Sequence, residues 1–194
     1  MTEMSKTRRM GSQDSATSHA LLDATEHVLR EEGYAAATSR RIAEVANTTQ
    51  QLVYYYFKTI DEVLLAAYKR RIERGLERLM DDVTSGKPIH AIWSDYCDAT
   101  DARLTFEYMA LANRHAGIRA ETSRFLNTAR ALQAETISKA YDEKGIPHFP
   151  VAPAAMAFLI QAVTLLLCRE SDSGVTAGHD EIRATVEWAL RKFE

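Results

Sequence analysis

The segment 33–57, GYAAATSRRIAEVANTTQQLVYYYF, restricts the fold of this chain more than any other feature. Its pattern predicts a short helix over 40–46, a tight turn, and a second short helix that ends in aromatic residues. A longer helical pattern over 18–32 precedes it. Three helices in this order are typical of a helix-turn-helix head, whose last helix enters the major groove of DNA. The segment therefore predicts a DNA-binding head.

The turn between the two short helices has its own signature. Ile42 and Ala46 lie four residues apart on one face of the first helix. Asn47 follows where that helix must stop, and Asn tolerates the left-handed conformation better than most residues. Thr48 and Gln51 have the spacing of a capping box. We therefore expect the second helix to begin directly after Thr48.

Fixed spacing relates several residues of this region to one another: Gly33, Tyr34, Thr38, Ile42, Ala43, Ala46, Tyr54, Tyr56, Phe57 and Leu64. In this arrangement the chain resembles the N-terminal domain of TetR-family transcriptional regulators, whose typical run is G-Y/F-x-x-x-T-x-x-x-I-A-x-x-A-G-V-S-x-x-x-x-Y-x-Y/H-F-x-x-K-x-x-L. The resemblance covers about residues 18–66. Asn47 and Thr48 depart from the usual Gly-Val. Ile60 stands where the family commonly has a phosphate-binding Lys, a charge that Lys58 can supply instead.

The resemblance and the composition agree on the fold. Four prolines and eight glycines in 194 residues favour an all-α chain. We predict an N-terminal three-helix helix-turn-helix DNA-binding head followed by a larger helical ligand-binding and dimerisation domain. The boundaries are a disordered basic tail at 1–16, the DNA-binding domain at 17–62 and the larger domain at 63–194. Beyond the head, helices are predicted at about 60–83, 88–105, 106–115, 119–144, 154–170 and 180–193.

The formal net charge of the whole chain is −3, and residues 1–60 hold seven Lys or Arg and seven Asp or Glu, so the head has no excess of positive charge. Attraction to phosphate must come from local placement, including Lys6, Arg8 and Arg9 in the tail. Glutamines and tyrosines on an outward helix face can hydrogen-bond base edges and phosphates. For the tyrosines, packing of the head against the next helix is the alternative. The predicted DNA-binding residues are Arg40, Thr49, Gln50, Gln51, Tyr54, Tyr55, Tyr56 and Lys58.

Large, adaptable side chains between residues 88 and 170 indicate where a small molecule would bind, although for any single one of them a plain core role is the favoured alternative. They favour an apolar or aromatic ligand, with His115 or Asn113 as a polar anchor. Asp95, Asp98 and Asp101 recur every three residues, and with no His at ligand spacing we interpret them as solvated carboxylates rather than a metal site. The predicted ligand-binding residues are Trp93, Tyr96, Phe106, Tyr108, Met109, Asn113, Phe125 and Met156.

Of the last two predicted helices, the first carries apolar residues on more than one face, which is typical of a helix buried on most sides, and the second carries an apolar stripe at three- and four-residue spacing. The family pairs two such helices across a two-fold axis, so the resemblance implies a homodimer; a core helix of a monomer is the alternative. The predicted interface residues are Leu159, Val163, Leu166, Ile182, Val186 and Leu190.

Other features narrow the class of protein. Cys97 and Cys168 lie far apart outside any CxxC motif and are interpreted as free thiols in a reducing cytosol. No signal peptide is visible, and the apolar stretch 154–168 is too short to span a bilayer. The motifs HExxH, GxSxG, GxxxxGK[ST] and Glu-x-x-His are absent from the sequence. We therefore predict a cytoplasmic protein with no enzymatic activity, cofactor, metal or membrane partner.

These observations combine into one functional prediction. The chain is expected to be a homodimeric repressor that binds a palindromic double-stranded operator and is released by a small-molecule effector. The helix that starts near Ile60 begins in the head and continues into the larger domain, which would let an effector change the spacing of the two heads. An all-helical ligand-binding protein or enzyme without specific DNA binding is the alternative, and a nucleoid-like DNA binder is a third possibility.

Overall fold

A computed structural model describes residues 15–99, 101–145 and 151–191, with the side chains of 96–99 left out. The described residues form nine α-helices and one 3₁₀ turn, Tyr34–Ala36, and no strand. The predicted all-α class is confirmed. The helices are α1 Ala16–Glu32, α2 Ser39–Val45, α3 Gln50–Tyr56, α4 Ile60–Val83, α5 Pro88–Ala99, α6 Ala102–Ala112, α7 Ala116–Glu143, α8 Pro153–Asp172 and α9 His179–Leu190.

Two compact units make up the chain, Met1–Lys69 and Arg70–Glu194. The division falls inside α4, the same helix that holds the boundary predicted at 62/63. Helix α1 begins at Ala16, where the Ser15 hydroxyl accepts a hydrogen bond from the Ser18 N–H at 3.2 Å. Residues 1–14 lie outside the described part of the chain, so the basic tail stays a prediction.

The first unit is built on short, well-capped helices. Helix α1 packs on α2, and α2 packs on α3. The Thr38 hydroxyl caps α2 by accepting from the Arg41 N–H at 3.2 Å. Thr59 caps α4 by accepting from the Glu62 N–H at 3.1 Å, while the Glu62 carboxylate accepts the Lys58 N–H at 2.9 Å. The buried apolar residues of this unit include Leu21, Val28, Leu29, Ile42, Val53, Phe57, Val63 and Leu64.

The turn of the helix-turn-helix confirms one prediction and corrects another. Asn47 has φ +49, the left-handed conformation expected of it. The N–H of Thr48 donates to the Ala43 carbonyl at 2.9 Å, and that of Asn47 donates to Glu44 at 3.1 Å, which is the Schellman closure of α2. The predicted capping box of Thr48 and Gln51 is therefore wrong, because Thr48 still completes the preceding helix. Helix α3 is capped by Thr49, one residue later.

In the second unit, α7 packs on α8, and α5 and α6 also pack on α8. A buried apolar cluster includes Leu79, Ile92, Trp93, Ala129, Ile137, Tyr141, Ala157, Ile160, Leu167 and Leu190. It is built from α4, α5, α7, α8 and α9, so nearly every helix of the unit contributes a face to one core. The predicted helix over 60–83 is confirmed at both ends.

Two predicted helix boundaries in this unit were wrong. The helix expected to run to Thr105 instead ends at Ala99, and Asp101 begins a new one by accepting the Leu104 N–H at 3.1 Å. The helix predicted to begin at 119 instead begins at Ala116, so Gly117 lies in the first turn of α7. That helix starts after His115, whose Nδ1 accepts the Ile118 N–H at 3.3 Å. In both places a side-chain cap decides where the helix begins, which apolar periodicity does not reveal.

Helix α8 is the one described helix that is long and apolar enough to cross a membrane, judged by length and composition alone. The apolar stretch was expected to be too short, but the helix extends to 20 residues. Its Ala157, Ile160 and Leu167 belong to the buried cluster of the second unit. A core helix of a soluble protein passes the same test, so the length of α8 is weak evidence for a membrane span.

Candidate nucleic-acid interface

Helix α3 is amphipathic in the sense that a DNA-reading helix requires. Val53 and the following Phe57 are 1% and 2% exposed and anchor the inner face. The opposite face is in solvent and carries four of the predicted DNA-binding residues: Gln50, Gln51, Tyr54 and Tyr55. This leaves amide and phenol groups on an accessible helix surface, where they can form hydrogen bonds with base edges or phosphates.

The two arginines of α2 are held by carboxylates. The Arg40 side chain, 81% exposed, contacts Glu44 with 3.0 Å between Nε and Oε1. Arg41 pairs with Glu32 across the end of α1, with 2.8 Å between Nη2 and Oε1, and also reaches Glu44. Hydrogen bonds from Arg40 and then Arg41 lower the pKa of the Glu44 carboxyl. The hydrogen bond from Arg41 lowers the pKa of Glu32 in the same way. Glu44 and Glu32 are thus held as anions beside the arginines.

A third residue of α2, Ser39, was missed by sequence reasoning. It is 7% exposed, and its Oγ receives the Gln50 Nε2 at 2.8 Å and lies 3.0 Å from the Tyr54 hydroxyl. Two of the predicted DNA-binding side chains therefore share one buried partner. A serine in the first turn of a helix is common and gave no signal of this contact.

The remaining predicted DNA-binding residues have different local environments. Thr49 acts as the N-cap of α3, its hydroxyl accepting the Leu52 N–H at 3.3 Å. Tyr55 and Tyr56 stack edge to face with 5.2 Å between ring centroids, and Tyr56 is the more buried of the two. Lys58 is exposed just before α4. None of these placements tests a DNA contact, so the assignments stay predictions.

The predicted ligand-binding residues do not all converge. Trp93 is buried in the core cluster of the second unit, and Phe125 and Met156 pack against the same cluster. Tyr108 is also buried, but Met109 and Asn113 are exposed. The Phe106 ring lies under the Arg169 guanidinium at 5.5 Å. The side chain of Tyr96 lies outside the described residues.

Sequence reasoning also missed a carboxylate, that of Glu187, which contacts this cluster. The Trp93 indole Nε1 donates to Glu187 Oε1 at 3.1 Å, and His90 Nε2 lies 3.4 Å from Glu187 Oε2. The contact links α5 to α9, residues 94 positions apart. Nothing in the sequence around Glu187 indicates that its carboxylate accepts a hydrogen bond from an indole 94 positions earlier in the chain.

Two further features concern binding of other kinds. An open groove of about 400 Å³ is lined by Asp101, Ala102, Arg103, Cys168, Ser171, Asp172 and Arg183, none of which was predicted to bind a ligand. Asp95 and Asp101, interpreted from the sequence as solvated carboxylates, each have a partner in the structure. Asp101 caps α6 by accepting the Leu104 N–H, and Asp95 Oδ1 lies 3.4 Å from Arg78 Nε. The side chain of Asp98 lies outside the described residues. Among described residues, no group of three His, Cys, Asp or Glu could hold a metal ion.

The predicted interface residues divide by exposure. Leu159 is 48% and Leu166 57% exposed on α8. Trp188 on α9, which was not among the predicted interface residues, is 56% exposed. Val163, Ile182 and Val186 are half-buried against the core cluster, and Leu190 is buried within it. With Trp188 included, both of the helices predicted to pair carry a large, exposed apolar side chain.

Residues 21–67 match the family model of the bacterial regulatory proteins, tetR family. The chain is 32% identical over 92 residues to the HTH-type transcriptional regulator HbdR of Aromatoleum sp. (strain CIB), covering 44% of this chain and 39% of that protein. It is 29% identical over 63 residues to the fatty acid metabolism regulator protein of Bacillus subtilis (strain 168), covering 32% of each. The chain thus spans less than half the length of these curated relatives.

Similarity to solved structures covers more of the chain than the sequence matches do. A TetR transcription regulator from Haloarcula marismortui ATCC 43049 superimposes with a TM-score of 0.74 at 20% identity, over 90% of this chain and 96% of that one. At this identity the likeness concerns the fold, and it extends through both the helix-turn-helix head and the helices that follow.

Proposed function

We propose that the chain is a transcriptional regulator of the TetR type. It is a repressor that binds a palindromic operator as a homodimer and leaves it when a small ligand binds. Regulators of this type are DNA-binding proteins and not enzymes. The observation that carries the proposal is the exposed polar face of α3, beside the arginines of α2. Its amides and phenols suit base edges and phosphates.

Within the head we assign different tasks to different groups. Arg40 and Gln50 read base edges, with Gln51 and Tyr55 facing the groove. Tyr54, Lys58 and the exposed end of α3 at Thr49 hold the phosphate backbone, and Tyr56 supports the helix. Glu44 restrains Arg40 in the free protein, because its carboxylate competes for the guanidinium with the DNA, whether a base edge or a nearby phosphate. Replacing Glu44 with Gln should therefore tighten binding to every duplex.

DNA selected from a random pool tests these assignments. Replacing Arg40 or Gln50 with Ala should change which operator bases matter, by about 1–3 kcal/mol for a good bidentate contact. Replacing Lys58 with Ala should weaken all sequences alike and reduce the salt slope by about 1. Lys139→Ala, which removes an exposed lysine from α7, is the matched control and should change neither. Unchanged preference in both the Arg40 and Gln50 variants would refute the assignment.

The dimer is proposed to form through the exposed apolar faces of α8 and α9, which bear Leu159, Leu166 and Trp188. A two-fold axis requires inverted half-sites about one helical turn apart, roughly 34–36 Å, or a multiple of it. Leu166→Glu or Val186→Lys should give monomers that lose operator binding. Met80→Glu charges an equally exposed apolar residue of α4 and should leave the dimer intact. Light scattering that shows a monomeric wild type at micromolar concentration would overturn the proposal.

For the effector we propose an apolar or aromatic molecule that enters beside Trp93, Phe125 and Met156, which share one cluster. One relative is named for fatty acid metabolism, which agrees with an apolar effector. Helix α4 continues from the head past Lys69, so it covalently connects the reading head to the second unit. We propose that the effector acts along this connection, with a coupling of about 1–3 kcal/mol that DNA and ligand exert on each other equally.

Fluorescence of Trp93 tests the switch, with a Trp188→Phe variant used to remove the exposed second indole. A compound that quenches Trp93 should weaken operator binding, and operator should weaken the compound by the same factor. Quenching without any change in operator affinity would refute the switch.

A regulator that acts on DNA inside the cell is proposed to be cytoplasmic, and fractionation of cells expressing the protein tests that location.

A further inference from the structure

Ser39 is a buried serine whose hydroxyl contacts two side chains of the recognition helix. It is the first residue of α2, 7% exposed, and its hydroxyl lies between two side chains of α3. Gln50 and Tyr54 are four residues apart on α3 and so project from the same side of that helix. Both reach back to the one hydroxyl, at 2.8 Å and 3.0 Å. The recognition helix is thus tied to α2 through its own DNA-facing side chains.

The hydrogen-bonding capacity of the three groups restricts how they can be arranged. A serine hydroxyl has one hydrogen to donate and two lone pairs to accept with. The Gln50 amide donates one N–H to Ser39 Oγ. In the contact between Ser39 and Tyr54 either hydroxyl can donate, and in one of the two arrangements the Ser39 hydrogen is donated to the oxygen of Tyr54. In that arrangement the Tyr54 hydrogen points away from Ser39. Tyr54 is 45% exposed, so this hydrogen is accessible to a phosphate oxygen.

We propose that Ser39 is a positioning residue for DNA recognition, which orients the Gln50 amide toward a base and the Tyr54 hydroxyl toward a phosphate. This rests on the proposed DNA-reading role of α3. The chain of donors runs from the Gln50 N–H to Ser39, from the Ser39 O–H to Tyr54, and from the Tyr54 O–H to phosphate. Each bond polarises the next, which strengthens the terminal donor. Ser39 acts through the other two and does not touch DNA.

The arrangement also predicts what Gln50 recognises. With one N–H engaged by Ser39, the amide still has its carbonyl oxygen and its second N–H. That pair matches adenine in the major groove, which offers a donor at N6 and an acceptor at N7. Without Ser39 the amide can rotate, and its donor and acceptor are no longer held in register with the base. Loss of Ser39 should therefore relax the preference for adenine at one position of each half-site.

The test compares Ser39→Ala, Gln50→Ala, Tyr54→Phe and the Ser39→Ala/Gln50→Ala double variant on the operator selected by the wild-type protein. Ser39→Ala should weaken operator binding about three- to tenfold, the equivalent of one ordinary hydrogen bond, and flatten the adenine preference. In the double variant the base-preference effect of Ser39→Ala should disappear, because the amide it orients is gone. Ser123→Ala, an exposed serine of α7, is the matched control.

Thermal unfolding of each variant separates positioning from folding. A purely structural role would lower the melting temperature and weaken every sequence equally, and that result would overturn the proposal. Unchanged operator affinity and base preference in Ser39→Ala, with the wild type still selecting an operator, would overturn it while leaving the proposed function standing. A wild-type protein that selects no sequence would refute the proposed function itself and this inference with it.

Discussion

Two glycines of the second unit predict opposite outcomes for the same substitution. Gly75 lies within helix α4, where an added Cβ would meet the Phe125 ring at 3.6 Å, an ordinary van der Waals distance. Gly145 follows α7 with φ +65, and an added Cβ there would meet nothing within 4 Å. Space alone therefore favours Ala at Gly145. Backbone conformation favours Ala at Gly75 instead, and we expect conformation to decide.

The magnitudes follow from the two conformations. Glycine within a helix is about 1 kcal/mol less favourable than alanine, so Gly75→Ala should raise the free energy of unfolding by up to that amount. In a chain of this size, about 1 kcal/mol corresponds to roughly 2–4 °C in melting temperature. At Gly145 a left-handed alanine costs about 1–2 kcal/mol, so Gly145→Ala should lower the free energy of unfolding.

Urea and thermal unfolding, followed by circular dichroism, measure both variants against the wild type. Because both glycines lie in the same unit, any difference between them reflects position rather than the cooperativity of separate units. A destabilised Gly75→Ala variant would show that the Phe125 ring cannot accept the new methyl group. A stabilised Gly145→Ala variant would refute the argument that positive φ outweighs free space.

Three other perturbations have expected outcomes. Burial, followed by repulsion from the Asp95 carboxylate, raises the pKa of Asp82. The ionised Asp82 carboxylate therefore disfavours the folded state, and its contribution to stability is lost as the pH rises through that pKa. Asp82→Asn should therefore stabilise the protein at pH 7, with a gain that shrinks in acid-unfolding series toward pH 3. Burial raises the pKa of the Cys168 thiol, so iodoacetamide should alkylate it more slowly than in unfolded protein, as mass spectrometry can show. Asn47→Ala should cost about 1–2 kcal/mol of stability while Asn47→Gly costs none, since φ is +49 there; equal urea midpoints would contradict this.

Local signals located the head and its turn because the relevant physics is local. The left-handed Asn47 and the apolar positions of Ile42, Val53 and Phe57 depend on backbone preference and helical periodicity, which neighbouring residues reveal. The start of α3 was misplaced by one residue. Thr48 and Thr49 are chemically equal caps, and only the Schellman closure of α2 decides between them. The resemblance to TetR-type regulators was also local, and the family match over 21–67 agrees with it.

The sequence by itself determined the all-α class, the helix-turn-helix and the span of α4, because apolar periodicity and breakers act within a few residues. Tertiary structure alone decided that Ser39 meets Gln50 and Tyr54, and that Trp93 donates to Glu187. These partners are 11 to 94 residues apart, and a hydrogen bond between them depends on how the helices pack. Serine and glutamate are ordinary surface residues in a sequence. They acquire a specific partner only when packing removes the competing water.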